Sequence, residues 1–240
     1  MKKRLFFNLL ILFIFFTLYY LILQNFLEKK SEEIQQIILK TEVPLYFSSF
    51  ILFISLVLAF KNSLYKSLKI FRKNLKLILL VFFLAFTIRE IIPPKTTRLF
   101  FDEDIYLDMA KQIVTHFSSC LCDFGNKFEC FRCELMKWPV AHPFLLSLPF
   151  SIFGTSEMVA THFMIFLSSL STIFIFLSSY LIFKNEKIAF LSSLILAILP
   201  IHILWSVTKA ADITFSFFTS LLLFFSLLSS KSNDIKIHFL

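Results

Sequence analysis

Long runs without charged residues constrain this chain more than any other feature of its sequence. The runs Leu5–Leu23 and Ile213–Leu228 approach or reach the length of about 18–20 residues that a helix needs to cross a bilayer core. Continuous apolar runs form helices there, because a barrel strand would alternate polar and apolar residues. Hydrophobic residues make up 58% of the sequence, which is more than ordinary soluble domains contain. The sequence therefore predicts an integral membrane protein.

The predicted fold class is all-α, a polytopic transmembrane helix bundle with about six spans. The spans are expected at 5–24, 43–60, 75–92, 158–183, 187–205 and 212–229. The first could instead be a cleaved signal peptide, but no small-residue cleavage site follows it, so an uncleaved anchor is favoured. Three regions result: two N-terminal spans with a basic loop (1–74), a membrane core with a large loop at 93–157 (75–230), and a short tail (231–240).

The distribution of basic residues predicts the orientation of the chain in a cell membrane. Segment 61–76 contains six basic residues and no acid, which places it in the cytoplasm together with the N-terminus and the tail. The loop 93–157 then lies outside. The apolar piece Pro143–Phe153 would reach only about 16 Å as a helix, so it is predicted to be interfacial or re-entrant. Since the net charge of +8 reports topology in such a protein, nucleic-acid binding is not expected.

The outer loop is expected to contain an amphipathic helix along the membrane surface. Asp102 would cap a helix from Glu103 to about Phe117, with acids in its first turn as the helix dipole favours. One face of this helix is apolar and the other polar. The apolar face would consist of Tyr106, Met109, Ala110, Ile113 and Phe117, and the polar face of Asp104, Asp108, Lys111 and Thr115.

All four cysteines lie in the same loop, as two closely spaced pairs. They are Cys120, Cys122, Cys130 and Cys133. Such spacing is typical of a zinc knuckle and also of a loop closed by disulfides. The outer location favours disulfides, with the pairing left open, and either arrangement would be structural.

Three motifs in order resemble the GT-C type polytopic glycosyltransferases, and most closely the protein O-mannosyltransferase and aminoarabinose-transferase group. They are Asp-Glu-x-x-Tyr at 102–106, His-Pro-Phe-Leu-Leu at 142–146 running to Phe-Gly at 153–154, and Lys-Ala-Ala-Asp at 209–212. Because members of the group are normally longer, the chain is expected to be a truncated or split member.

The resemblance implies transfer of a sugar from a polyprenyl-phosphate donor to a protein, lipid or glycan acceptor on the outer face of the membrane. Asp102 would be the general base for the acceptor hydroxyl, since its position matches the acid of the family's first loop. Glu103 would assist it or hold a divalent metal ion, which is left open as a cofactor. Asp212 would be a second, supporting acid of the same cavity.

The remaining site residues follow from the same resemblance. His142 and Lys209 would contact the donor phosphate, and Tyr106 would support the site. The alternative is a non-catalytic or degenerate membrane subunit of such an enzyme. A transporter is disfavoured, because the charges within predicted spans, such as Arg89 and Glu90, stand near span ends rather than along a pathway.

Overall fold

The computed structural model describes residues 41–52, 54, 61–95, 101–124, 132–134 and 140–230. The predicted span 5–24, residues 53 and 55–60 of the predicted span 43–60, Cys130 and the tail 231–240 lie outside these residues. The elements are α1 (41–52), α2 (Lys61–Lys73), α3 (Leu75–Ile91), α4 (Phe101–His116), β1 (Leu121–Phe124), β2 (Arg132–Glu134), α5 (Ala141–Phe153), α6 (Glu157–Phe183), α7 (Glu186–Ile198), α8 (Pro200–Trp205) and α9 (Asp212–Ser230).

Local capping signals explain where the longest helix begins and ends. The Ser156 hydroxyl accepts the backbone N–H of Val159 at 3.2 Å and starts α6. Lys184 has a left-handed φ of 55° and ends it. The side chain of Asn185 then accepts the N–H of Lys187 at 2.9 Å and starts α7. Each contact satisfies a backbone group that a helix terminus leaves unpaired.

Helix α6 lies at the centre of the described bundle and packs against α9, α7, α3 and α5. Its buried face carries as many small hydroxyl residues as large apolar ones. Several of these hydroxyls donate to carbonyls of their own helix: Ser169 to Ile165 (2.8 Å), Ser171 to Leu167 (3.1 Å) and Thr172 to Ser169 (2.7 Å). Small side chains allow helices to approach closely, and the internal bonds satisfy these three buried hydroxyls.

The end of α2, the end of α6 and the start of α7 lie close together at one end of the bundle. The predicted topology puts all three in the cytoplasm. The ammonium of Lys73, at the end of α2, lies 2.8 Å from the carboxylate of Glu186, at the start of α7. Lys73 and Lys184 both face the ring of Tyr180 near the end of α6. These termini therefore share one side of the bundle. That this side is cytoplasmic stays a prediction.

The six-span bundle is not confirmed by the part of the chain that the structure describes. There, α6 is the one helix long and apolar enough to cross a membrane, with a mean hydropathy of 2.0 in its most apolar window. The apolar helices α5 and α9 are shorter by the same measure. The predicted span 187–205 is interrupted at Leu199, whose extended ψ of 115° separates α7 from α8.

Helix α4 forms where the sequence predicts it, with two differences at its ends. It begins at Phe101, so Asp102 lies in the first turn and the predicted N-cap role is wrong. Phe117 is 60% exposed, not part of the buried face, because its φ of 55° ends the helix and redirects the chain. The other four predicted apolar-face residues, Tyr106, Met109, Ala110 and Ile113, are buried.

The cysteine segment adds a small sheet to a fold that is otherwise helical. Strands β1 and β2 pair antiparallel, with Cys122 opposite Cys133 and an irregular register between Cys122 and Phe124. Cys120 is buried and disulfide-bonded. Helix α4 has 16 residues and is roughly 24 Å long, so Cys120 follows the end of α4 that is far from Asp102.

Candidate active site

A buried acid–base pair joins the first turn of α4 to the loop before α9. The side chains of Glu103 and Lys209 are each 1% exposed. The backbone N–H of Lys209 donates to Glu103 Oε2 at 3.0 Å, and the Lys209 ammonium lies 3.7 Å from the same oxygen. A buried carboxylate needs such compensation, because an isolated charge is costly to remove from water. Glu103 therefore holds loop 206–211 against α4.

His142, at the start of α5, holds the other side of the same loop. Its Nε2 lies 2.7 Å from the carbonyl oxygen of Lys209, and its Nδ1 lies 2.8 Å from the hydroxyl of Thr214. A carbonyl can only accept, so Nε2 carries the proton and Nδ1 accepts from the Thr214 hydroxyl. This neutral tautomer uses both ring nitrogens to connect α5, the loop and α9.

Burial keeps His142 neutral at physiological pH. The pKa of His142 is lowered from 6.5 to about 4, because burial disfavours the charged ring, while the hydrogen bond to the Lys209 carbonyl acts in the opposite direction. Between about pH 6.5 and 4, the unfolded chain takes up a proton at this histidine and the folded chain does not. The free energy of unfolding therefore falls as the pH falls through that window.

We expect the wild-type protein in detergent to lose up to about 3 kcal/mol of its free energy of unfolding through His142 between pH 7 and 4. His142→Gln keeps one donor and one acceptor but no titrating group, so it should show a smaller loss in denaturant unfolding at the two pH values. His116→Gln is the control, since His116 is exposed, and it should lose as much as the wild type. An equal acid-dependent loss in His142→Gln would contradict the assignment.

Tyr106 lies beside His142, and the pKa of its phenol depends on the two predicted acids, Asp102 and Asp212. The rings of Tyr106 and His142 meet edge to face, with centroids 4.8 Å apart. Burial raises the pKa of the Tyr106 phenol, and the negative charges of Asp102 and Asp212 raise it further. Both carboxylates therefore lie near one phenol, although they are far apart in sequence. Asp102 is partly buried and Asp212 is exposed.

The structure thus brings together residues from all three motifs. Two of these residues, however, contact partners that the sequence did not predict. His142 and Lys209 were predicted to contact a donor phosphate, and both are engaged with protein groups in this structure. Sequence reasoning missed Thr214, which partners His142. Its signal is a hydroxyl two positions after Asp212, on a helix that is otherwise mostly apolar.

Among the described residues, no group of three or more His, Cys, Asp or Glu side chains could hold a metal ion. The paired acids at Tyr106 do not amount to such a group.

The comparison with known proteins matches the part of the chain that carries the second and third motifs. A family model described as dolichyl-phosphate-mannose-protein mannosyltransferase matches residues 137–240. No curated protein and no solved structure gives a significant match. The matched part contains His142, Lys209 and Asp212, while Asp102 and Glu103 precede it. Residues 137–240 carry the sequence pattern of the dolichyl-phosphate-mannose-protein mannosyltransferases, which confirms the predicted resemblance to GT-C type glycosyltransferases.

Proposed function

We propose that this protein is a membrane glycosyltransferase that moves a sugar, mannose by its family match, from a polyprenyl phosphate to an acceptor hydroxyl. The observation that supports the proposal is that the charges of Asp102 and Asp212, which are far apart in sequence, both raise the pKa of the Tyr106 phenol. Two accessible carboxylates that act on the same phenol can serve a reaction in which a hydroxyl must lose its proton. In the proposed orientation, the N-terminus is cytoplasmic and this site opens at the outer face of a cell membrane, in a bundle of about six spans.

In the proposed reaction, the acceptor oxygen attacks the anomeric carbon of the sugar. The bond between that carbon and the phosphate oxygen breaks, and the polyprenyl phosphate leaves with the bonding electrons. Asp102 takes the proton of the acceptor hydroxyl, which requires a carboxylate that the substrate can reach. The partial exposure of Asp102 meets this requirement, whereas Glu103 is enclosed by the protein.

The other site residues take supporting roles in this proposal. Asp212, exposed at the start of α9, would orient the acceptor. Glu103 and His142 hold loop 206–211 in place from two sides. A contact between the donor phosphate and His142 or Lys209 requires each side chain to exchange its present protein partner, so holding the loop is the role that the geometry favours for both.

The test is transfer of labelled mannose from a mannosyl polyprenyl phosphate in sealed membrane vesicles of known orientation. We expect transfer from the lipid donor and none from a nucleotide sugar, with an acceptor supplied at the face that was outside the cell. Asp212→Asn should lower the rate by about tenfold or more, because an acceptor that is not held in the reactive orientation reacts more slowly. Glu157→Gln, in the first turn of α6, is the matched control and should leave the rate unchanged.

Two results would contradict the proposal. The first is an absence of transfer from lipid donors by intact protein, which would favour a non-catalytic membrane subunit. The second is transfer with an acceptor supplied only at the cytoplasmic face, which would overturn the proposed orientation.

A further inference from the structure

Arg89, near the end of α3, is a fully buried cation without a carboxylate partner among the described residues. Its side chain is 0% exposed. The guanidinium Nε donates to the Ser168 hydroxyl on α6 at 2.7 Å, and Nη1 donates to the carbonyl of Ala85 in its own helix at 2.9 Å. Isolated charges inside a helical bundle are costly, so a residue of this kind needs a specific reason.

The reason lies at the break between α7 and α8. In a continuous helix the carbonyl of Leu196 would accept the N–H of residue 200, but Pro200 has no N–H. Arg89 supplies the missing donors: Nη1 lies 3.0 Å from the carbonyl oxygen of Ala197, and Nη2 lies 3.2 Å from that of Leu196. The positive charge also faces the negative end of the α7 dipole.

The same guanidinium reaches across the break to α8. Its Nη2 lies 2.9 Å from Nδ1 of His202. Because the guanidinium only donates, Nδ1 accepts and Nε2 carries the proton, 3.3 Å from the hydroxyl of Ser216 on α9. The carbonyl of His202 in turn accepts the N–H of Ser206 at 3.2 Å, at the point where loop 206–211 begins.

We propose that Arg89 is a positioning residue for the candidate site. It fixes the angle between α7 and α8, and α8 delivers the loop whose Lys209 backbone binds Glu103 and His142. Its effect on sugar transfer rests on the proposed function, whereas its effect on the loop does not. The first test therefore measures how well the side chain of Lys209 is protected from solvent.

The test measures acylation of individual lysines by an amine-reactive ester, read by mass spectrometry on the full-length protein in detergent. In the wild type, Lys209 should react far more slowly than the exposed Lys184, which is the internal reference. Arg89→Met should raise the relative reactivity of Lys209 by about tenfold or more, because the loop opens locally. Arg89→Lys should also raise it, since a single ammonium cannot reach all five acceptors. Arg72→Met, which removes an exposed arginine of α2, should leave it unchanged.

A double variant distinguishes two roles of Arg89. One is to fix the angle between α7 and α8, and the other is only to donate hydrogen bonds to the carbonyls of Leu196 and Ala197. In Arg89→Met/Pro200→Ala, the new backbone N–H can bond the Leu196 carbonyl and extend α7 without a break. We expect the melting temperature to recover while Lys209 stays reactive, because the straightened helix no longer directs the loop. If Lys209 becomes protected again together with the melting temperature, the proposal is overturned.

A milder variant covers the case in which Arg89→Met does not fold. Ser168→Ala removes one acceptor of Arg89 and a 3.1 Å contact to His202 Nδ1, and should raise Lys209 reactivity by about twofold or more. If Arg89→Met folds and its Lys209 is as unreactive as in the wild type, the proposal is overturned. If Arg89→Met does not fold, the same result in Ser168→Ala overturns it. In vesicles that show transfer, Arg89→Met should also lower the rate. If the wild type shows no transfer, Lys209 reactivity still decides the inference.

Discussion

Asp102→Asn is expected to lower the rate of sugar transfer by about a hundredfold or more, the range typical of a lost general base. Asparagine keeps the size and hydrogen-bonding capacity of the side chain but cannot take a proton from the acceptor hydroxyl. Initial rates in membranes with labelled mannosyl polyprenyl phosphate, normalised to the amount of folded protein, measure the effect. Removing the charge near the phenol should also lower the pKa of Tyr106 towards its ordinary value.

The matched control for this substitution is Asp104→Asn. Asp104 lies in the same turn of α4 and is also partly exposed, so it changes the charge near the helix start without touching the proposed base. We expect its rate to stay close to that of the wild type. A wild-type rate in Asp102→Asn would remove Asp102 from the role of base. Equal losses in both variants would indicate that the charge of the turn matters rather than one carboxylate.

Lys209→Met is expected to lower the free energy of unfolding by about 3–5 kcal/mol, the usual cost of breaking a buried ion pair from one side. The methionine fills a similar volume but leaves the carboxylate of Glu103 buried without its cation. Unfolding by denaturant in detergent measures the loss. The double variant Glu103→Gln/Lys209→Met should recover most of it, because neither charge then remains in the interior, and the Lys209 N–H still has an oxygen to bind.

Lys73→Met provides the matched control, because it breaks the ion pair with Glu186 at the surface. The side chains of that pair are 62% and 43% exposed, and water and salt screen such charges strongly. Its loss should be much smaller than that of Lys209→Met. Equal losses in the two single variants, or no recovery in the double variant, would show that Glu103 and Lys209 do not act as a pair.

Much of the helical order follows from local sequence. The predicted spans 75–92, 158–183 and 212–229 agree with α3, α6 and α9 to within one or two residues, because apolar runs and capping residues are local signals. The break at Pro200 could not be predicted in the same way. Proline in a helix produces either a kink or an end, and here the outcome depends on donors supplied by Arg89, which is more than a hundred residues away in sequence.

The site was predictable only as a set of residues near one another. The predicted spans and the charge pattern put Asp102 and Asp212 on the same side of the membrane as an expectation, and the charges of both raise the pKa of Tyr106. The sequence did not indicate that Lys209 would turn inward to Glu103 or that His142 would bind Thr214. Those contacts join residues separated by 106 and 72 positions, and the choice between a protein partner and a phosphate depends on packing that no local pattern records.

The hydroxyl-rich face of α6 has a consequence for how the bundle can move. Ser169, Ser171 and Thr172 donate their hydroxyl protons to carbonyls of their own helix. These protons are therefore not used in hydrogen bonds to neighbouring helices. Ser168 differs, since its hydroxyl contacts both Arg89 and His202. Packed helices that lack cross-links can slide past one another by small shear displacements. In this bundle, the contacts of Ser168 with Arg89 and His202 therefore restrain such displacements of α6, as does the 2.7 Å contact between His162 of α6 and Glu90 of α3.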